Sequence, residues 1–258
     1  MSVHNEPLTR RSSVWNAVTA LSIGVICAAA FWIWSSSPER PAGPRLTTRT
    51  PAQKPPLPLE TLSLEGAAVR GRQDAPVALI LFTDFQCPFC GTVAREILPQ
   101  LEQRYVSTGR MLLAVRHLPL EKIHPFALPA AVAAECAGEQ GSFWDMHDEL
   151  FFSQRQLDAG SLTRRSQVLG LKQDQFSACL SGPMTAKVQK DLALAGVLRI
   201  SSTPTFLLGP LQNDGRVKVA ERLSGSLPFE RLERAVESIL NPSSAERVQT
   251  REPQADGR

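Results

Sequence analysis

The sequence predicts an α/β fold in which a helical subdomain is inserted into a small core of strands and helices. Two observations lead to this prediction. An apolar run, 77–82, is followed at once by a turn, a helical pattern and a second apolar strand, 111–115, an order typical of a parallel βαβ unit. The stretch 124–198 then carries helix signals and few strand signals. The core is therefore expected to resume after this insertion.

The first strand and helix are justified by their apolar patterns. The run 77–82 is apolar without alternation, which is typical of a strand buried on both faces of a sheet. The following helix has apolar residues at Val93, Ile97 and Leu101, a spacing that places them on one face. Pro99 lacks a backbone N–H and is expected to kink this helix or to end its first segment.

The inserted stretch, 124–198, is expected to hold four or five helices. Ser142 and Asp145 form a capping box ahead of an apolar helical run, which predicts the start of one helix. The Ser-Gly-Pro breaker at 181–183 predicts the end of another.

The chain is expected to return to the core through a β-hairpin. Two short apolar segments, 205–208 and 217–220, flank an Asn-Asp-Gly turn at 213–215, which is a strong hairpin signal. The segment 228–240 has apolar residues at helical spacing. It is expected to close the domain as an amphipathic helix.

A membrane anchor is expected near the N-terminus. Residues 14–34 form 21 consecutive positions without a charged side chain. As an α-helix this segment would be about 31 Å long, enough to cross the hydrocarbon core of a bilayer. We therefore expect a transmembrane helix after a short tail, 1–13. A cleavable signal peptide is the alternative, but the run stays apolar through 31–34, where a mature protein is expected to begin with polar residues.

The segments that flank the folded domain are recognised by composition. Seven prolines fall in 35–58, among Ser, Thr and Arg residues, which predicts an extended, semi-rigid linker. Residues 241–258 have almost no apolar side chains and are expected to form a disordered tail. One folded domain, 59–240, remains, as the length of 258 residues leads one to expect.

The charge pattern excludes one class of partner. The formal net charge is +3, and basic residues are mixed with nearly as many acidic ones. No basic patch stands out, so no nucleic-acid partner is expected. Basic residues lie on both sides of 14–34, and charge therefore does not decide the orientation of the anchor.

Two cysteines, Cys87 and Cys90, lie three positions apart at the start of the first predicted helix. Such a pair can close and reopen a small disulfide, because the N–H groups at a helix N-terminus stabilise the thiolate of the first cysteine. Pro88 suits the first helical turn, where its missing N–H costs nothing. The pattern predicts Cys87 as the attacking thiol and Cys90 as the less exposed, resolving thiol.

A Cys-x-x-Cys pair also occurs as half of a zinc site, which needs two further ligands at matching spacing. The other cysteines of the predicted domain, Cys136 and Cys179, stand alone, and the four histidines show no ligand-like pairing. Redox chemistry is therefore expected, with no metal and no cofactor.

Three motifs carry a resemblance to a known family: FTDFQCPFC at 82–90, AECAGEQGSFW at 134–144 and TPTF at 203–206. Together they resemble DsbA-like thiol:disulfide oxidoreductases, the membrane-tethered or secreted branch of the thioredoxin superfamily. The resemblance extends over 59–240. It implies a thioredoxin-like fold with an inserted helical subdomain, preceded here by one transmembrane helix.

The resemblance also implies roles for individual residues. Cys87 and Cys90 would be the catalytic, redox-active disulfide. Thr203 and Pro204 would be joined by a cis peptide bond beside that disulfide and would bind substrate, since a cis bond turns the chain so that its backbone groups can pair with an extended peptide. An ordinary trans turn before a strand is the alternative.

Cys136 and Cys179 fall in two different predicted helices of the insertion, each among apolar neighbours. Some relatives have a structural disulfide in this subdomain, and we expect one here because an oxidising compartment permits it. Two buried free thiols that behave as small apolar residues are the alternative.

The implied function is the introduction of disulfides into exported, cysteine-containing proteins. The domain would be extracytoplasmic, on a single-pass protein of the inner membrane, and a membrane redox partner of the DsbB or vitamin K epoxide reductase type would reoxidise it. Phe89 and Thr203 stand where the best-known DsbA pattern has histidine and valine, and Leu81 stands where thioredoxin has a buried acid. The alternatives are therefore a disulfide reductase or isomerase, or a non-enzymatic module that carries a metal or acts as a chaperone.

Asp84 and His124 are interpreted as structural residues; a proton-carrying role of Asp84 and a modest catalytic influence of His124 are the alternatives. Asp84 lies three positions before Cys87 and is expected in the turn after the first strand. His124 precedes Pro125 and is expected to begin a helix near the face that carries the cysteines.

Overall fold

The computed structural model describes residues 60–182 and 184–242. The predicted N-terminal tail, membrane anchor and linker, 1–58, and the predicted C-terminal tail beyond residue 242 lie outside this part of the chain. Within it, no helix combines the length and the apolar character needed to cross a membrane.

Five strands form the central sheet, in the order β2-β4-β3-β5-β7, and β1 pairs separately with β6. The neighbours β3 and β4 run parallel, and the other pairs of the sheet are antiparallel. Every residue of β3 and β4 is buried, as the two apolar runs predict. The strands are β1 Thr61–Ser63, β2 Ala68–Arg70, β3 Val77–Thr83, β4 Met111–His117, β5 Thr205–Pro210, β6 Arg216–Lys218 and β7 Glu221–Ser224.

The connection from β3 to β4 is helical but irregular. Helix α1, Pro88–Thr92, is followed by wider π-type turns, and the short helix α2, Leu98–Leu101, separates two of these segments, Val93–Ile97 and Glu102–Val106. Pro99, in α2, has no N–H to donate, and the N–H of the residue before it reaches back five positions to the carbonyl of Val93. Pro99 therefore coincides with a widened, π-type helix, whereas a kink or a break was expected.

The insertion contains five helices in the described residues, at the upper end of the prediction. Ser142 stands at the N-cap of the second of them, but its side chain makes no capping hydrogen bond, so the predicted capping box with Asp145 is wrong. The helix start is fixed by packing, since Phe143 and Met146 are buried. The helices are α3 Ala127–Gly138, α4 Phe143–Phe152, α5 Ala159–Val168, α6 Gln173–Leu180 and α7 Met184–Val197.

The predicted hairpin is wrong in its pairing. The strand β6, which covers two of the four residues of the predicted partner, pairs along its length with β1, and a single isolated bridge joins Leu211 to Val217 across the predicted turn. Besides β3, the antiparallel neighbour of β5 is β7, which the sequence analysis did not predict. The closing helix, α8, Phe229–Leu240, agrees with the prediction and buries Phe229, Leu232, Ala235 and Val236.

The two faces of the sheet carry separate apolar cores. The face that includes Leu79, Leu81 and Val115 packs against α1, most of the insertion and α8. The opposite face, with Ile80 and Phe82, packs against the end of α7 and the β1–β6 pair. Because β3 and β4 are parallel, their carboxyl ends meet at one edge of the sheet, and the residues that follow both strands are brought together there.

Candidate active site

The predicted redox pair lies at the carboxyl end of β3, where α1 begins. Cys87 occupies the N-cap of α1 and Pro88 its first position. Both cysteines are free thiols, and their exposed fractions are 4% for Cys87 and 1% for Cys90. The order of exposure agrees with the expected attacking and resolving thiols.

The surroundings of the two sulfur atoms drive their pKa values apart. A hydrogen bond from the Cys90 thiol is the largest cause that lowers the pKa of Cys87. The Thr203 side chain and the backbone N–H groups of Cys90 and Phe89 lower it further. Burial opposes these effects, and the resulting pKa is about 5. For Cys90, burial raises the pKa, and the neighbouring Cys87 raises it further. Cys87 is therefore the thiolate near neutral pH, and Cys90 keeps its proton.

Thr203 lies beside Cys87. The thiol of Cys87 donates to the carbonyl oxygen of Thr203 over a distance of 3.6 Å. The side chain of Thr203 contributes to the lowered pKa of Cys87, and its hydroxyl oxygen is buried and has no hydrogen-bond partner among the described residues. The peptide bond from Thr203 to Pro204 is cis, as the resemblance implies. The expected substrate-binding pair therefore lies directly beside Cys87.

Asp84 joins the active-site turn to the loop after β4. Its side chain accepts hydrogen bonds from the backbone N–H groups of Gln86 and Cys87 and from the ring of His124. Asp84 is a turn residue, as interpreted from the sequence. The contact with His124 was not predicted, although both residues follow neighbouring parallel strands, and that placement could have suggested it.

Gln154 of the insertion contacts the active-site turn. The amide of Gln154 donates to the carbonyl oxygens of Phe85 and Cys87, at 2.9 Å each. Sequence reasoning missed Gln154, because a polar residue in the segment after α4 carries no local signal of this contact.

A buried ionic cluster fixes the insertion to β4. His117 Nε2 lies 2.8 Å from Glu135 Oε1 on α3, and Lys187 on α7 pairs with the other oxygen of Glu135. Burial opposes ionisation of Glu135, but the hydrogen bonds and charges of His117 and Lys187 outweigh it and lower the pKa of this carboxyl. The cluster holds three elements together at the end of the sheet that carries the cysteines.

Cys136 on α3 and Cys179 on α6 form a disulfide. The pairing is the one expected for the insertion, and it closes a loop across 43 positions. This disulfide is separate from Cys87 and Cys90. Across 60–182 and 184–242, no group of three or more His, Cys, Asp or Glu side chains is arranged to hold a metal ion.

The chain is similar to known proteins in both sequence and fold. A family model for thioredoxin matches residues 63–225. Among solved structures, α-DsbA1 of Wolbachia pipientis is 23% identical, covers 72% of this chain and 96% of its own, and superposes with a TM-score of 0.62. BdbD of Bacillus subtilis is also 23% identical, covers 70% of this chain and 99% of its own, and has a TM-score of 0.59.

Curated proteins also match. The Na(+)/H(+) antiporter NhaA 3 of Salinispora tropica is 36% identical over 160 residues, which are 62% of this chain and 24% of the antiporter. The antiporter NhaA 1 of Mycolicibacterium gilvum is 33% identical over 208 residues, which are 77% of this chain and 31% of that protein. The chain thus spans about a quarter to a third of the length of these relatives. The match to the thioredoxin model covers more than half of the chain, and the chain therefore belongs to the thioredoxin family.

Proposed function

We propose that this protein is a thiol:disulfide oxidoreductase that introduces disulfides into exported proteins by exchange at Cys87 and Cys90. The observation that carries the proposal is the position of Cys87 at the N-cap of α1, where its pKa is lowered to about 5. A stable thiolate stabilises the reduced form of the enzyme, and an enzyme with a stabilised reduced form is a strong oxidant of other thiols. The raised pKa of Cys90 agrees with a buried resolving thiol.

The reaction begins with the oxidised enzyme. A substrate thiolate attacks the sulfur of Cys87, the bond from Cys87 to Cys90 breaks, and Cys90 leaves as a thiolate that takes up a proton. The second thiolate of the substrate then attacks the substrate sulfur in the mixed disulfide. A substrate disulfide forms, Cys87 leaves as a thiolate, and two electrons have passed from substrate to enzyme.

The proposed substrate-binding residues are Thr203 and Pro204. Both precede β5, and the carbonyl oxygen of Thr203 lies 3.6 Å from the sulfur of Cys87. An extended peptide that presents its cysteine to Cys87 would therefore lie along the backbone of this pair.

The location and the redox partner are also proposals. The apolar run 14–34 and the proline-rich segment 35–58 favour a domain held near the outer face of the inner membrane. A membrane protein of the DsbB or vitamin K epoxide reductase type would accept the two electrons from Cys87 and Cys90. Sharing one membrane would raise the effective concentration of each protein for the other. Cation antiport is not part of the proposal, because the chain spans so small a share of the antiporters it resembles.

The same cysteines can work in the opposite direction, as a reductase or isomerase. The threonine at 203 favours this second function, since it stands where the best-known DsbA pattern has valine. The two functions differ in the reduction potential of the pair, which is high for an oxidant and close to that of thioredoxin for a reductase.

The experiment is a redox titration of the full-length chain in glutathione buffers. The state of the pair is read by alkylation and mass spectrometry of the peptide that contains Cys87 and Cys90. A Cys87→Ser variant is the control for the exchange itself, and a Cys136→Ala/Cys179→Ala variant shows that the second disulfide does not account for the signal. A potential near that of thioredoxin would contradict the proposed direction.

A further inference from the structure

Asp84 is a buried carboxylate that accepts four hydrogen bonds. Its Oδ1 accepts the backbone N–H groups of Gln86 at 2.7 Å and Cys87 at 3.1 Å. Its side chain is 0% exposed, so water does not screen its charge. The backbone of the attacking cysteine is therefore held by an anionic group.

The other oxygen of the same carboxylate binds a different segment. Asp84 Oδ2 accepts the backbone N–H of Leu120 at 2.8 Å and the ring Nδ1–H of His124, also at 2.8 Å. Both donors belong to the loop between β4 and α3. The position of this loop and the position of Cys87 are thus joined through one side chain.

The arrangement places two opposing influences on the thiolate of Cys87. A negative charge beside a thiol disfavours its ionisation, and burial strengthens the effect. A donor that hydrogen-bonds to the carboxylate partly neutralises its negative charge and so weakens the repulsion. Three backbone N–H groups donate hydrogen bonds to Asp84 whatever residue stands at 124. The hydrogen bond from His124 can therefore be removed while the buried carboxylate keeps three donors.

We propose that Asp84 and His124 are positioning residues that set how firmly Cys87 is held as a thiolate, Asp84 by opposing it and His124 by relieving that opposition. The inference rests on the proposed exchange at Cys87 and Cys90. It assigns to both residues an influence on the reaction, whereas the sequence alone indicated turn and helix-start residues.

The test uses variants at both members of the pair. Asp84→Asn removes the charge and keeps an oxygen for the N–H groups of Gln86 and Cys87, while its amide nitrogen replaces the oxygen that accepts from Leu120 and His124. His124→Phe removes the donor to Asp84, and His124→Asn restores a neutral donor at about the position of Nδ1. The matched control is Asp148→Asn, because Asp148 Oδ1 lies 2.8 Å from His147 Nδ1 and forms a second His–Asp pair in the described residues.

Two readouts are needed on the full-length chain. The thiolate of Cys87 is titrated by its absorbance near 240 nm, with Cys87→Ser subtracted, and the equilibrium constant with glutathione is measured for each variant. Thermal unfolding of each variant is recorded beside them, so that a general loss of structure is recognised.

The inference predicts shifts of opposite sign. Asp84→Asn should lower the pKa of Cys87 by roughly one unit and His124→Phe should raise it by a similar amount, because the carboxylate of Asp84 is bonded to the backbone N–H of Cys87. Each unit corresponds to about a tenfold change in the equilibrium constant. His124→Asn should return most of the way to wild type, and Asp148→Asn should not differ from it. Shifts of the same sign in Asp84→Asn and His124→Phe, or no shift in either, would overturn the inference. A wild-type chain with no titratable pair would instead overturn the proposed function.

Discussion

The sulfur of Cys87 lies 3.6 Å from the carbonyl oxygen of Thr203, although 116 positions separate the two residues in the chain. The sheet brings them together, because β3 and β5 are antiparallel neighbours in which Phe82 stands opposite Thr205. The turn after β3 therefore lies against the turn before β5. The attacking thiol and the proposed substrate-binding residues meet at that edge.

Replacing Cys90 with alanine removes the largest cause of the low pKa of Cys87. We expect the pKa of Cys87 to rise from about 5 toward the ordinary range for a thiol, and mixed disulfides with substrate to accumulate, since no resolving thiol remains. Absorbance near 240 nm measures the first effect, and non-reducing gel electrophoresis measures the second. An unchanged titration would show that Cys90 is not the donor.

Thr203→Val removes one hydroxyl and keeps the shape of the side chain. The thiolate of Cys87 then loses a donor, so its pKa should rise, and by less than in Cys90→Ala, because Cys90 is the larger cause. The reduction potential should fall at the same time, because the reduced form is less stabilised. A lower pKa in this variant would contradict the assigned hydrogen bond.

The two redox forms should differ in how stability depends on pH. The pKa of Cys87 is lowered from an ordinary value of 9.0 to about 5 in the folded, reduced protein. The resulting stabilisation is complete above pH 9 and is lost as the pH falls through 5. The raised pKa of Cys90 lowers the stability of the folded, reduced protein, but only as the pH rises through and beyond the ordinary value for a thiol.

Urea unfolding at pH 8 and at pH 5 tests this dependence. The reduced protein should lose more stability than the oxidised protein between the two values, since the disulfide form has no thiolate to protonate. The comparison between redox forms removes the contribution of the other titrating groups. Equal losses in both forms would mean that Cys87 does not titrate in this range.

The disulfide between Cys136 and Cys179 should contribute stability without taking part in exchange. It closes a loop across 43 positions, and its removal in Cys136→Ala/Cys179→Ala should cost about 2–4 kcal/mol of unfolding free energy. The reduction potential of the Cys87–Cys90 pair should stay unchanged. Denaturant unfolding and the glutathione titration measure the two quantities, and a displaced potential would show that the disulfides are coupled.

Much of the fold could be predicted because the longest elements carry clear patterns. The apolar runs of β3 and β4 identify a buried parallel pair, and the helical insertion and α8 follow from helical spacing. The strands β1, β2 and β7 have three or four residues each, too few for a period to be recognised. The mistaken hairpin has the same origin, because a turn signal does not say which strand pairs with which.

Some residues of the candidate site could likewise be predicted from the sequence, and others could not. Cys87, Cys90 and the pair Thr203-Pro204 belong to local motifs and could be found from sequence. Asp84 and His124 lie 40 positions apart, and Gln154 lies 67 positions from Cys87. Such contacts depend on how the sheet and the insertion pack, and a hydrogen bond between distant side chains leaves no local pattern.

The central claim, that the Cys87–Cys90 pair is an oxidant, is tested most directly by its reduction potential in the full-length chain. The low pKa of Cys87 predicts a potential well above that of thioredoxin, which is about −270 mV, with the signal abolished in Cys87→Ser. A potential at or below that of thioredoxin would contradict the account and would favour a reductase or isomerase.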